Sequence, residues 1–262
     1  MKDVIAAFMF FTRLPLWRIS NVPADSFKRI VAYWPMTGLL TGALMTTVYL
    51  LAIYLNFHAI TAVLLAFVSR LLLTGALHED GLADFFDGFG GGRSREQVLT
   101  IMKDSHIGSY GVLGLIVYAL LWISSMFMLL QIFKGNEYFV FITCDVWSKW
   151  CASQIINFLP YARKEEDCKI KNIYDRMSPV RFIIGLAIGV LPFLYFILCK
   201  TGDFLSVVPI LAGAAAPIIT MLLITLYLKR RINGYTGDCC GAIFLLCELS
   251  YLLTLNCLWK FF

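Results

Sequence analysis

Acidic side chains are scarce in this chain, yet Glu79, Asp80, Asp84 and Asp87 stand together in the run His78–Gly92, HEDGLADFFDGFGGG. On a helix, Asp80, Asp84 and Asp87 fall at i, i+4 and i+7 and share one face. Like charges so placed repel, an i,i+4 pair costing roughly 0.2–0.5 kcal/mol, and a bound cation would remove that cost. Hard oxygen ligands with room left for water suit Mg2+, or Mn2+, which take one or two carboxylates and let substrate phosphates complete the shell. The competing reading is an acidic, solvated helix end. Gly88 and Gly90–Gly92 weigh against it, because they permit close backbone approach to a ligand and a sharp turn.

Basic residues follow at once: Arg93 and Arg95, then Lys103, Asp104, Ser105, His106 and Gly108 ahead of a new apolar run. Phosphate binding needs fixed cationic donors and free backbone N–H groups, and a Gly-containing turn opening a helix supplies the latter. A metal face beside an anion-binding turn suits phosphoryl transfer from a diphosphate, where positioning and electrostatics carry most of the catalysis. His106 could act as general base, its unperturbed pKa lying near neutrality; a solvated loop histidine is the plainer reading. Further on, Asn233–Asp238 sets Thr236 and Asp238 around Gly237 near a helix start, where a carboxylate also favours the helix dipole.

The elements that must hold these residues are apolar helices. Of 262 residues 60% are hydrophobic and the mean hydropathy is +0.77, well above the roughly 45–50% apolar fraction of soluble domains. The chain reads as all-α, a single integral membrane domain over 1–262, with its catalytic face on loops and helix ends around 78–108 and 229–240. Apolar windows of about 20 residues, enough to cross a ~30 Å hydrocarbon core, lie at 31–55, 59–77, 109–133, 138–160, 181–199, 204–228 and 241–261. They predict about seven transmembrane helices (six to eight), and residues 1–16 a short interfacial or re-entrant helix.

Lys and Arg crowd one set of loops: Arg13, Arg18, Lys28 and Arg29, then Arg93, Arg95 and Lys103, then the segment from Arg163 through Lys164, Lys169 and Lys171 to Arg181, then Lys229–Arg231. The other set carries only Lys134, Lys200 and Lys260. The asymmetry predicts a cytoplasmic N-terminus, a C-terminus outside and the acidic motif on the cytoplasmic side. The net charge of +5 suits an anionic nucleotide substrate and equally serves membrane orientation. Membrane lipid is an expected partner, nucleic acid is not, and homo-oligomerisation is left open.

The eight cysteines, Cys168 among them, form no CxxC pair and read as small hydrophobes. Gly38 and Gly42, spaced GxxxG, and Gly213–Ala216 read as close helix contacts. Arg70, Asp145, Lys149 and Glu248 fall inside predicted spans, where an unpaired charge costs at least ~2.5 kcal/mol. Asp145 and Lys149, at i,i+4, can neutralise each other; Arg70, about two turns before Glu79, can reach a phosphate or a motif carboxylate.

FTRLP at Phe11–Pro15, LHEDGLADFFDGFGGG at Leu77–Gly92, MKDSHIGSYG at Met102–Gly111, YAR at Tyr161–Arg163 and GYTGDCCGA at Gly234–Ala242 occur in order over nearly the whole chain. Together they resemble the cobalamin synthase family, adenosylcobinamide-GDP ribazoletransferase. The resemblance implies a Mg2+-dependent multi-pass enzyme of a bacterial or archaeal cytoplasmic membrane. It would join adenosylcobinamide-GDP to α-ribazole or α-ribazole 5'-phosphate and release GMP, a ribose hydroxyl attacking the cobinamide-side phosphorus with no covalent enzyme intermediate. Carried onto this sequence, Glu79, Asp80, Asp84 and Asp87 match the acidic metal motif, Lys103, Asp104 and Ser105 a second motif, and Thr236, Gly237 and Asp238 a third. His106 stands where the family pattern has arginine, and an imidazole is shorter and need not be charged. The combined expectation has Asp84, Asp87, Lys103, Asp104 and His106 catalytic. Arg13, Arg70, Arg93, Arg95, Ser105, Gly108, Thr236, Gly237 and Asp238 are expected to bind substrate.

Other classes fit less well. CDP-alcohol phosphotransferases share a DGxxA opening, but their pattern wants Arg at Asp84 and Gly at Arg93. Membrane prenyltransferases need a second Asp-rich motif that is absent. A cation transporter would carry its acids at mid-membrane, whereas these sit at one edge.

Overall fold

A backbone crossing a bilayer must satisfy its hydrogen bonds internally, so long apolar runs fold as helices. The computed structural model describes residues 1–163, 174–200 and 207–259, with the side chains of 199 and 200 outside that description. Lys164, Lys169, Lys171, Cys168 and Lys260, and the side chains of Cys199 and Lys200, therefore lie outside the described residues.

The chain opens with α1 (Lys2–Phe11), the expected short N-terminal helix, and continues through 3-10 turns at Leu16–Arg18 and Ala24–Tyr33. Then come α2 (Trp34–Tyr54), α3 (Ala59–Thr74), α4 (Leu77–Gly91), α5 (Arg95–Ile101), α6 (Ser109–Ile132), α7 (Glu137–Ser153) and α8 (Ile155–Phe158). The last three are α9 (Pro179–Lys200), α10 (Val207–Arg231) and α11 (Gly237–Trp259). The class is all-α, as the sequence predicts.

Five stretches are long and apolar enough to cross a membrane: Ala24–Tyr54, α6, Pro179–Leu198 in α9, α10 and α11. The pair α3 and α4, bent by 90°, makes a sixth if counted as one span. Among the described residues six is thus the count with the bent pair included, the lower end of the expected six to eight. The window at 138–160 ran α7 and α8 together, whereas α7 alone has 17 residues. The chain is a multi-pass membrane protein.

Small residues set the packing. A Cβ on Gly38 would stand 2.8 Å from Val146 Cα, and one on Gly42 2.9 Å from Ile142 Cα, so the GxxxG pair is where α2 and α7 touch. The buried charges find partners across helices. Lys149 pairs with Asp145 on α7 and donates to Thr41 Oγ1 of α2 at 2.9 Å, and Thr41 Oγ1 donates to Asp145 Oδ2 at 2.8 Å. Arg70 of α3 donates to Glu248 Oε1 of α11 at 2.6 Å, to Tyr118 of α6 at 2.9 Å and to Glu79 Oε1 of α4 at 3.3 Å; Tyr118 donates on to Glu248 Oε2 at 2.6 Å. One guanidinium therefore clamps four helices. Phe67, Trp122 and Phe244 surround it at 5.2–5.9 Å.

Between α3 and α4 the backbone turns through two left-handed residues, Gly75 (φ +67°) and Ala76 (φ +56°). Gly75 suits that region; Ala76 holds it at a cost of about 1–2 kcal/mol. The elbow starts the acidic helix at an angle to the helix that delivers it.

Candidate active site

The acidic run forms α4 as its spacing predicts, with Glu79 and Asp80 in the first turn. A Cβ on Gly81 would stand 3.0 Å from the Asp238 carbonyl oxygen, and one on Gly241 3.1 Å from the His78 carbonyl oxygen. These glycines let the backbones of α4 and α11 touch. Asp80, exposed, and Asp238 consequently line one cavity, so the first and third motifs meet although about 150 residues of sequence part them.

Thr236 is fully buried. Its Oγ1 accepts the Cys239 N–H at 3.3 Å, capping α11, and donates to Asp238 Oδ2 at 3.3 Å. Gly237 is exposed on the cavity wall. Just upstream, the Tyr235 N–H donates to the Pro160 carbonyl at 3.0 Å and the Ala162 N–H to the Tyr235 carbonyl at 2.8 Å. Burial pushes the Tyr235 phenol well above its ordinary pKa, so the side chain at this junction stays neutral. The junction sets Arg163 Nη2 3.7 Å from Asp238 Oδ2. Arg163 Nη2 also donates to the Leu99 carbonyl at 3.4 Å, while its Nε is buried with no hydrogen-bond partner.

Three recesses run into one another here. The central cavity, about 190 Å³, has Phe10, Phe11, Val31 and Trp34 on one side and Asp80, Arg163 and Asp238 on the other. A groove joined to it through Asp80 and Leu77 is lined by Arg13, Glu79 and Ile107. A cleft joined to it through Arg163 holds Arg95, Lys103 and Asp104. Residues of all three predicted motifs and of FTRLP therefore line one set of adjoining recesses, a trough, while Asp84, Asp87, Ser105 and His106 line none of the three. Arg13 reaches it by lying over the Gly75 elbow, its N–H donating to the Leu73 carbonyl at 2.7 Å.

Several expected site residues do structural work. Asp87 is buried, and its oxygens accept the Gly108 N–H at 2.7 Å and the Gly111 N–H at 2.8 Å. The anion-binding turn at the start of α6 is thus occupied by the protein's own carboxylate, and the Gly108 N–H expected to meet a phosphate is given to it. Arg95 spans two loops, donating from Nε to the Ile232 carbonyl and from Nη2 to the Ala162 carbonyl, both at 2.8 Å. Arg70 reaches Glu79, one of the two partners its position suggested, and is itself buried. Glu79 is accordingly buried, though its Oε2 has no hydrogen-bond partner. Asp84 is half-buried, and Arg93 and Ser105 are exposed. His106 Nδ1 lies 2.7 Å from Asp104 Oδ1 on the exposed loop, and that hydrogen bond holds the Asp104 carboxyl below its usual range.

Among the described residues no group of three or more His, Cys, Asp or Glu side chains forms a ready metal cage. An exposed Asp80 and the unpartnered Glu79 Oε2, which line the same groove, instead fit an ion that takes one or two carboxylates and relies on substrate oxygens for the rest, with Asp84 one turn further along α4. Sequence reasoning missed Arg163 and the aromatic wall. The YAR match pointed at Arg163, but nothing local to a single arginine in a polar loop marks it as facing Asp238.

The fold and trough define a class, helical membrane proteins with a carboxylate- and guanidinium-lined site at one end of the bundle. The profile of the Cobalamin-5-phosphate synthase family matches residues 3–256. Curated relatives named adenosylcobinamide-GDP ribazoletransferase include that of Leptospira interrogans, 32% identical over 262 residues, covering 97% of this chain and 95% of its own. That of Shewanella sp. W3-18-1 is 36% identical, covering 96% and 92%. That of Shewanella oneidensis is 36% identical, covering 93% and 89%. No solved structure matches. The chain belongs to the cobalamin-5-phosphate synthase family, whose curated members are named as transferases.

Proposed function

We propose that the trough joins adenosylcobinamide-GDP to α-ribazole, or to its 5'-phosphate, and releases GMP. The observation that carries the reading is the glycine-mediated contact of α4 with α11, which sets Asp80, Asp238 and Arg163 around one cavity. Asp80 and Asp84 would hold Mg2+, which when bound supplies charge neutralisation at the diphosphate. Arg163 and Lys103 of the cleft bind the phosphates and steady the charge that gathers on the departing GMP. A ribose hydroxyl forms the new P–O bond as the anhydride bond breaks, and the His106 imidazole, oriented by Asp104, takes its proton.

The test is GMP release from the purified, lipid-reconstituted chain. Release that needs both substrates and a divalent ion, and is lost in Asp80→Ala and Asp84→Ala while both variants still insert and fold, is the expected result. Full activity in either variant overturns the metal role; no release from the unaltered protein overturns the reaction. The bias of Lys and Arg to one set of loops favours a cytoplasmic N-terminus and trough. Labelling of Ser105→Cys by an impermeant thiol reagent from inside only is the expected result.

A further inference from the structure

The central cavity has two halves of opposite character. On its wall Asp80 is exposed and Asp238 half-buried, marking the mouth, whereas Phe11, Val31 and Trp34 are buried and mark the depth. The rings are already ordered as a stack: Phe11 lies on Trp34 (5.0 Å, 11°) and Trp34 on His78 (5.4 Å, 16°). Tyr161 and Tyr174 line it as well. Such a lining favours a flat aromatic ring, by burial and by offset or edge contacts worth roughly 0.5–1.5 kcal/mol each.

Resting on the reaction proposed above, we infer that this cavity is the seat of the acceptor's base, with the ribose at the Asp80–Asp238 mouth and the guanine of the other substrate elsewhere in the trough. The polar content of the wall decides between the two bases. In the depth the ring nitrogens Trp34 Nε1 and His78 Nε2 lack hydrogen-bond partners. A fused two-ring base with one unsubstituted ring nitrogen asks for one donor. Guanine presents a carbonyl, a ring N–H and an amino group along one edge, and each left unpaired in such a wall costs about 1–3 kcal/mol. The same poverty makes the cavity selective for an apolar base over a purine one. The base would then lie between α1, α2 and α11.

The experiment is equilibrium dialysis of radiolabelled α-ribazole, and separately of cobinamide-GDP, against the full chain in lipid. Gly237 lines this cavity and neither the groove nor the cleft, and a side chain there meets open space, so Gly237→Leu narrows the cavity without displacing its neighbours. The expected result is at least tenfold weaker α-ribazole binding with cobinamide-GDP binding changed less than twofold, and in the unaltered chain at least tenfold weaker binding of a purine riboside than of α-ribazole. Weaker cobinamide-GDP binding with α-ribazole intact, or no change in either, overturns the inference. If Gly237→Leu loses both ligands, Tyr174→Ala, on the wall of this cavity alone, decides: weakening of α-ribazole alone supports the assignment, and any other pattern sinks it. An unaltered chain that binds α-ribazole in this way yet releases no GMP would sink the reaction and leave the base site standing.

Discussion

Replacing Asp87 by asparagine keeps the side chain's size but sets an amide NH2 against one of the two backbone N–H groups it now accepts from Gly108 and Gly111. The start of α6 loses its charge partner, and a stability loss of about 1–2 kcal/mol is expected, read as a lower Tm in detergent. The Mg2+ concentration giving half-maximal activity should not move; a rise of several-fold would make Asp87 a ligand instead. Asp80 belongs to the opposite case, with activity lost and Tm held. His106→Gln should lower kcat by roughly 10²–10³-fold; an unchanged kcat would assign the base to another group. The spacing of Asp80, Asp84 and Asp87 was legible as one helical face, but which of them faced a ligand was not. That depended on where α6 begins to pack, a contact between residues more than twenty apart. Thr236 shows the same limit: a hydroxyl two residues before an aspartate reads equally as substrate contact and as the cap it turns out to be.

The Gly75–Ala76 elbow and the α4–α11 contact set the angle and distance of the acidic helix. A methyl group on Gly75 would meet the Arg13 guanidinium at 2.1 Å, in a left-handed conformation that L side chains resist. Gly75→Ala is therefore expected to cost roughly 1–2 kcal/mol and to displace Arg13, with Tm and activity falling together. Gly81→Ala pushes α11 away by its backbone, and overpacking of this kind costs about 1–3 kcal/mol. Its kcat should fall while membrane insertion persists, and wild-type kcat would deny the contact its role. At the N-terminus, Arg29 holds Asp3 through two hydrogen bonds of 2.8 and 3.0 Å and keeps its carboxyl below the usual range. Because the folded pKa is the lower one, this tie is complete above the ordinary carboxylate pKa and lost as pH falls through the folded value, so α1 should loosen only in strong acid. Helix positions were legible because apolar windows have the right length. The 90° bend was not, since only the single Gly75 hinted at it and Ala76 contributes the second left-handed residue without any signal in its type.

Across the whole molecule the Arg70 cluster joins α3, α4, α6 and α11, while Lys149, Asp145 and Thr41 join α7 to α2. Removing one partner strands a buried charge, so Glu248→Ala should cost about 3–5 kcal/mol and impair membrane assembly; a variant as heat-stable as the parent would show that the clamp carries little. The charges themselves were conspicuous in sequence. That Arg70 would meet Glu248, at the far end of the chain, needed the fold, because several helices could have supplied its counter-ion. Composition likewise announced a membrane protein and a span count of six to eight whose lower end the helices reach, while hydropathy windows cannot see where α7 ends and α8 begins.

The contact at Gly81 works like a caliper locked by its frame. Main-chain atoms fix the gap between the jaws that carry Asp80 and Asp238, so a side chain that is too long cannot be accommodated by sliding one helix along the other. Asp80→Glu, which keeps the charge and adds one methylene, should then be nearly as damaging as outright deletion of the carboxylate.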